Sequence, residues 1–246
     1  MLQSPMASAA PYGVATEDAV STAVSAADVT RRYGSGEAAV DALRGVTLDI
    51  PRGQFAAIMG PSGSGKSTLM HVLAGLDVPT SGTVHIAGEE ITTMNDAQLT
   101  KLRRAHIGFV FQAFNLLPTL TAEENILLPL QLAGRKVDRA WYDAVVERVG
   151  LTDRTTHRPS ELSGGQQQRV AVARALVSEP TVLFADEPTG NLDSKSSHEV
   201  LELLRDAALS FGQTTVMVTH DNDAAAAADR LIHLEDGQVV TDEVTR

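Results

Sequence analysis

The sequence predicts an α/β fold in which a mostly parallel sheet is covered by helices on both faces and a helical arm interrupts the core. Three observations predict it. Short apolar, β-branched runs alternate with stretches of helical spacing along most of the chain. A glycine-rich break, Gly60–Gly65, separates one such run from a helix. Residues 113–158 show helical spacing with no strand-like run. The 246 residues bound the chain to one or two domains at ~150 residues each. No internal repeat of fixed period divides it.

Residues 1–24 are Ala, Ser, Thr and Pro with little large apolar content, and are expected to form a disordered leader before a folded domain over 25–246. Ala39–Ile50 and Phe55–Met59 read as strands separated by Pro51-Arg52-Gly53. Lys66–Ala74 reads as a helix, Thr83–Ile86 and Ile107–Phe111 as strands, and Ala97–Arg104 as a short polar helix between them. Thr121–Ala133 and Asp138–Val149 are helical by spacing, the second through Trp141, Val145, Val146 and Val149. Then follow helix Gly164–Val177, the fully apolar strand Val182–Ala185, helix Lys195–Ala208 and strand Thr215–Val218. An Ala-rich helix near Asp223–Ala228 and strands Leu231–Leu234 and Gln238–Val240 close the chain. The core is thus expected over 25–112 and 159–246, with residues 113–158 as a helical subdomain.

Composition removes several classes of function. Lys and Arg number 20 against 31 Asp and Glu, a net charge of −11, and aromatics are 4%. A nucleic-acid partner is therefore not expected: neither a basic footprint nor a supply of stacking rings is present. The absence of cysteine excludes disulfides, thiolate metal sites and a cysteine nucleophile. The longest uncharged run near a hydrophobic centre, Ile107 to Ala122, is interrupted by Gln112, Asn115 and Pro118, so it is not expected to cross a bilayer. The N-terminus has no basic and apolar regions of a signal peptide, so work at a membrane is expected to need another chain as anchor.

Gly60, Pro61, Ser62, Gly63, Ser64, Gly65, Lys66 and Ser67 match G-x-x-x-x-G-K-[ST] at each fixed position, between a strand and a helix. Glycines let successive backbone N–H groups converge on phosphate oxygens, and the helix that follows adds about half a positive charge at its N-terminus. Lys66 supplies a full charge to the β/γ-phosphates and Ser67 a hydroxyl ligand for Mg²⁺. These groups act at contact distance, whereas the spread −11 is screened beyond ~8 Å.

Val182–Ala185 ends in Asp186 and Glu187. Acids at the carboxyl edge of such a sheet can hold a metal and polarise water, the roles expected of Asp186 and Glu187 respectively. Alone they are equally a solvated turn; the phosphate loop gives them a target. Ser163 and Gln166 form a capping box, which explains that pair structurally. It does not explain Gly164 and Gly165, which cost about 1 kcal/mol each in a helix. Bare backbone at a helix N-terminus suits a phosphate, and a second anion site suggests two chains around one nucleotide.

These motifs, in this order, resemble the nucleotide-binding subunit of ATP-binding-cassette (ABC) transporters over residues 26–240. The resemblance implies a P-loop NTPase core with a small antiparallel β region, ATP and Mg²⁺ as ligands, and an ATP-sandwiching dimer with a second copy or a paralogous ATPase. It implies roles for Gln112 at Mg²⁺, for His220 at the γ-phosphate, for Asp193 in the dimer seam, for Thr68 beside the phosphate loop and for Tyr33 stacked on adenine. Packing alone is the lesser alternative for Tyr33. The remaining histidines have no metal-ligand spacing, and Arg31-Arg32 and Lys101–Arg104 read as solvated clusters.

Residues 109–125 and Asp186–Asp193 are similar to the macrolide-export and lipoprotein-release ATPases (MacB/LolD type) and to the cell-division ATPase FtsE. That resemblance implies a peripheral ATPase at the cytoplasmic face of the cell membrane, driving an integral permease with a large extracytoplasmic domain. Residues around Gln112–Glu124 and the face of Thr121–Ala133 (Ile126, Leu127 and Leu130) are then candidates for a groove that receives a coupling helix of the permease, those three side chains being otherwise the arm's own core. Lys66 and Leu162 are too close for the long coiled coil of a DNA-repair ABC ATPase. A non-transport ABC ATPase, a scaffold for iron–sulfur assembly or a cell-division regulator, is the alternative.

Overall fold

A computed structural model describes residues 22–245; the expected leader lies outside them apart from its last three residues. Those three belong to the first strand, β1 (Thr22–Tyr33), where Ala23 and Val24 are fully buried, so the folded domain begins before residue 25.

Two sheets build the molecule. The larger has six strands in the order β10-β9-β3-β8-β7-β6: β3 (Phe55–Met59), β6 (Ile107–Phe111), β7 (Val182–Asp186), β8 (Thr214–Val218), β9 (Arg230–Glu235) and β10 (Gln238–Val244). All its pairings are parallel except β10 on β9. The smaller sheet is antiparallel, in the order β2-β1-β4-β5, with β2 (Val40–Pro51), β4 (Ser81–Ile86) and the two-residue β5 (Glu89–Glu90). β5 has no sequence signal of its own; two glutamates read as turn, and pairing with His85 and Ile86 makes them strand.

The continuous apolar runs of β3, β7 and β8 reflect burial on both faces. Phe55, Ala57, Leu183, Ala185 and Met217 point into one core; Ala56, Ile58, Val182, Phe184, Val216 and Val218 point into the other. The second core lies between the two sheets and takes in helix α1 (Lys66–Leu73) and α2 (Asp96–His106). α2 is longer than its polar sequence implies because Asn95 and Gln98 close a capping box in front of it.

The first core joins the sheet to the arm helices α3 (Ala122–Leu132) and α4 (Arg139–Arg148) and to α5 (Gly164–Leu176) and α6 (Ser194–Phe211). Ile126, Leu127 and Leu130 are buried here beside Val145, Val170 and Leu176. They are the arm's own core and not an open groove. The expected break after residue 158 is likewise not a packing boundary, since α5 shares its apolar face with the arm. The Ala-rich helix is a single turn, α7 (Asn222–Ala225), capped by Asp221.

The segment from Gln112 to the arm is irregular yet fixed. Phe114 and Asn115 both take left-handed backbone, at φ 57° and 50°. Arg174 of α5 holds both, donating to the carbonyl oxygens of Phe114 at 2.8 Å and Asn115 at 2.5 Å. Farther along, the fully buried Asn125 donates to the carbonyls of Leu117, Leu120 and Thr121 and accepts from the Leu117 N–H at 2.8 Å. Removing that side chain orphans several buried backbone groups at once. Asn125→Ala is expected to cost about 2–3 kcal/mol in urea unfolding. A loss under about 0.5 kcal/mol contradicts the assigned role of this amide.

Candidate active site

Parallel pairing aligns the ends of five strands. Phe111 is level with Asp186, Asp186 with Val218, Val218 with Ile58 and Ile58 with Ile232. Beyond that level Gln112, Glu187 and Thr219 leave β6, β7 and β8, and the glycine-rich loop leaves β3 after Met59, all along one edge, while β9 runs on through His233 to Glu235. Ligand-binding segments leave open α/β sheets in the same way.

β3 runs on into the glycine-rich loop and α1. The loop comes close to its neighbours. A Cβ on Gly60 would stand 2.0 Å from the Leu234 carbonyl oxygen, and one on Gly65 2.4 Å from that of Ala42, both residues having positive φ. Only glycine fits there, so the loop's backbone can converge. Lys66 is nearly buried, and its Nζ donates to the carbonyls of Gly60 at 2.8 Å and Pro61 at 2.9 Å. Its charge is thereby held inside the loop. Ser64 is buried with its hydroxyl unpartnered, and its carbonyl accepts from the Gly237 N–H at 2.9 Å. The β9–β10 turn thus clasps the loop.

A cavity of about 970 Å³ opens over this loop. Gly60, Pro61, Ser62, Gly63, Gly65, Lys66, Ser67 and Thr68 line it, together with Glu187 and His220. A second, of about 520 Å³, is lined by Gln112, Glu187 and His220 among others. Glu187 and His220 stand where the two meet. Glu187 has φ 45°, a strained value for a side chain of this size, held by its N–H to the Val218 carbonyl at 2.9 Å and by the Gly190 N–H to its own carbonyl at 3.0 Å. Its carboxylate is 2.7 Å from His220 Nδ1 and accepts from the Thr219 hydroxyl at 3.3 Å. The histidine side chain is 74% exposed and the glutamate 19%. The exposed ring stands beside a seated carboxylate, open to a ligand in the cavity that both line.

Asp186, half-buried at the end of β7, has no side-chain partner among the described residues. Burial pushes its carboxyl above the usual range, partly opposed by His71 and Lys66 and reinforced by Glu187. A half-buried acid without a hydrogen-bond partner and the exposed Ser67 both offer hard oxygen donors, the kind that suits Mg²⁺. Among the described residues no cluster of three His, Asp or Glu could hold a metal by itself. Gln112 is turned to Asn191: its Nε2 donates to the Asn191 side chain at 3.2 Å, and the Asn191 amide returns a bond to the Gln112 carbonyl at 3.0 Å.

Ser163, Gly164, Gly165 and Gln166 line neither cavity. The expected capping box is present, with the Gln166 N–H on Ser163 Oγ at 3.3 Å and the Ser163 N–H on Gln166 Oε1 at 2.9 Å. Asp193 caps α6, accepting from the Ser196 N–H and hydroxyl, and those bonds hold its carboxyl below the usual range. Tyr33 does not line the large cavity either, but is the cross-strand partner of Val40, which does.

Several contributors carried no sequence signal. Asp41, Arg44, His233 and Asp236 line the large cavity from β2 and the β9–β10 hairpin, far apart in the chain and in no motif. Gln168, fully buried in α5, donates to the carbonyls of Phe111 and Pro188, tying the helix that begins at the capping box to the segments of Gln112 and Glu187. Only its place in a Gln triplet after the capping box could have marked it.

Residues 43–190 match the family model described as ABC transporter. The lipoprotein-releasing system ATP-binding protein LolD of Geobacter metallireducens is 50% identical over 217 residues, 87% of this chain and 96% of that protein. The macrolide export ATP-binding/permease protein MacB of Chlorobaculum tepidum is also 50% identical over 217 residues, but these are only 33% of its length. The chain thus spans about a third of the MacB proteins it matches. A dimeric ATP-binding cassette in a post-hydrolysis state, bound to ADP and Pi, superposes with a TM-score of 0.81 at 44% identity, covering 91% of this chain and 99% of that one. The converging strand ends, the glycine loop around Lys66 and these likenesses together place the chain in the ABC transporter family, as an ATP-binding cassette.

Proposed function

We propose that this chain is the ATP-hydrolysing subunit of a membrane ABC system of the MacB/LolD type, in which two cassettes close on ATP and drive a partner permease. The observation that carries the reading is the split of the site. Lys66, Glu187 and His220 face one cavity, while the bare helix N-terminus at Ser163–Gln166 lies outside it. A second copy, or a paralogous ATPase, would bring its own Ser163–Gln166 over the triphosphate, with Asp193 at the seam.

In that arrangement Lys66 leaves the Gly60 and Pro61 carbonyls for the β/γ-phosphates, exchanging neutral acceptors for charged ones. The loop N–H groups and the α1 N-terminus neutralise charge that develops on the phosphoryl oxygens. Glu187 takes the proton of the attacking water at a carboxylate oxygen, and His220 passes its Nδ1 contact from Glu187 toward the γ-phosphate. Thr219 keeps Glu187 aimed. Ser67 and Asp186, with Gln112, would hold Mg²⁺, which would supply positive charge to neutralise the phosphate oxygens. Tyr33 stacks on the adenine.

The permease is taken to be an integral membrane protein with a large extracytoplasmic domain, this chain lying on the cytoplasmic face of the membrane. The names of the relatives support this over a soluble scaffold. Among the described residues no helix is long and apolar enough to span a bilayer, which fits an ATPase anchored by another chain.

Glu187→Gln is expected to lower ATP turnover by about 10²–10⁴-fold while an ATP-dependent dimer accumulates, read by light scattering after gel filtration. Near-normal turnover removes Glu187 from the role of base. Lys66→Ala is expected to weaken ATP binding by at least about tenfold in calorimetry, and unaltered affinity overturns the loop assignment.

Asp186 gives a prediction of opposite signs. Its raised pKa makes the ionised carboxylate a burden on the fold above its titration and none below it. In metal-free buffer near neutrality, Asp186→Asn should raise the melting midpoint by on the order of 2 °C. That gain should fade as pH falls through the carboxyl's titration, and Mg²⁺-dependent turnover should drop by about two orders of magnitude. A variant less stable than the parent at neutral pH contradicts the unpartnered-acid account.

A further inference from the structure

Tyr33 is held far more firmly than an exposed aromatic at a strand end requires. Its hydroxyl donates to Asp77 Oδ2 at 2.6 Å. Arg31 grips the same carboxylate with two bonds, Nε to Oδ2 at 2.9 Å and Nη2 to Oδ1 at 2.7 Å. The Arg31 guanidinium carbon also sits 4.4 Å from the centroid of the Tyr33 ring. A cation therefore covers one face of the ring and leaves the other as the face that a planar ligand can meet. The Val78 N–H gives Asp77 Oδ1 a further bond at 2.8 Å.

Asp77 is in turn fixed to the phosphate loop's own helix. The N–H groups of Leu76 and Asp77 donate to the His71 carbonyl, at 2.8 and 3.2 Å, in the last turn of α1. Beyond it, the Thr80 N–H bonds the Thr30 carbonyl at 2.8 Å and Arg32 N–H bonds the Thr80 hydroxyl at 2.9 Å, zipping this segment to β1. A continuous set of bonds thus runs from the helix that begins at Lys66, through Asp77, to the ring of Tyr33. Burial works against the Asp77 charge, yet the Tyr33 hydroxyl, the Val78 N–H and Arg31 together hold its carboxyl below the usual range.

We propose that Asp77 and Arg31 are positioning residues that hold the Tyr33 ring as a one-faced platform for the nucleobase, at a distance from the phosphate loop set by α1. This rests on the reading of Tyr33 as the adenine-stacking residue. The pair touches neither phosphate nor base; it acts through the ring, on base affinity and not on the chemical step.

The test compares two ligands on the full chain. ATP carries a base, whereas inorganic tripolyphosphate offers the phosphate loop the same charges without one. Asp77→Ala, and the near-isosteric Asp77→Asn as a variant that keeps one acceptor, are measured by calorimetry against both ligands and in steady-state turnover. Loss of ring positioning should raise the Kd and KM for ATP about fivefold in Asp77→Ala, less in Asp77→Asn, with kcat and the tripolyphosphate Kd unchanged. Loss of affinity for both ligands together would mean that Asp77 only supports the fold, and overturns the proposal. So does an unchanged ATP Kd in Asp77→Ala. Tyr33→Ala separates the two layers: if it weakens ATP alone while Asp77→Ala does nothing, the platform stands without its positioning pair; if it does nothing, the stacking reading itself fails and takes this inference with it.

Discussion

The register of the parallel sheet is the constraint on which the site depends. Phe111, Asp186, Val218, Ile58 and Ile232 lie level across five strands, so Gln112, Glu187, Thr219 and the glycine-rich loop after Met59 leave the sheet within a residue of the same height. Slipping one strand by a residue would turn its apolar set from one core to the other and carry its functional side chain away from the edge. Burial on both faces forbids that. Phe184 and Val218 fill the core between the sheets while Leu183 and Met217 fill the core under the arm, and neither set tolerates exchange. Hydrophobic packing some distance below the cavity thereby sets where Glu187 stands relative to Lys66.

Local charge then decides what the cavity accepts. A chain of net charge −11 is a poor general host for a polyanion, and exposed carboxylates repel one at long range. The Lys66 ammonium is held among loop carbonyls and the N-terminus of α1 points at the same space. Contact at a few ångströms outweighs a spread charge that salt screens beyond ~8 Å. Glu187 in the wall of this cavity sits at positive φ, and two residues next in the chain to its lining carry unpaired polarity: Asp186, half-buried without a hydrogen-bond partner for its carboxylate among the described residues, and the buried Ser64 hydroxyl of the glycine loop. Such features lower stability and are kept where a ligand relieves them.

What the sequence discloses is local or periodic. The strand–loop–helix around Lys66, the acids Asp186 and Glu187 at the end of β7 and the capping box at Ser163 are each written within a few adjacent residues, and each has the local structure expected of it. The larger sheet follows from its continuous apolar runs. Features made by distant pairing were hidden. Arg31 reads as a solvated basic residue because its partner, Asp77, lies in another part of the chain. The hydrophobic spacing of Ile126, Leu127 and Leu130 is the same for a groove as for a core, and only the positions of α4 and α5 decide for the core. The first strand's start was masked by Thr22 and Ala23, small residues that pairing with β2 makes strand. Asp41, Arg44 and His233 reach the cavity by sheet topology alone.

The central claim is that one chain holds half of each nucleotide site, and the lack of any native cysteine allows a direct test. Ser62, exposed in the phosphate loop, and Ser163, exposed at the α5 N-terminus, are each replaced by cysteine in separate, differently tagged chains on a Glu187→Gln background. The two preparations are mixed, oxidised mildly with and without Mg-ATP, and the products resolved by mass. The account predicts an ATP-dependent disulfide joining a Ser62→Cys chain to a Ser163→Cys chain. Absence of that mixed product, with ATP bound and monomers persisting, would contradict a site shared between two chains.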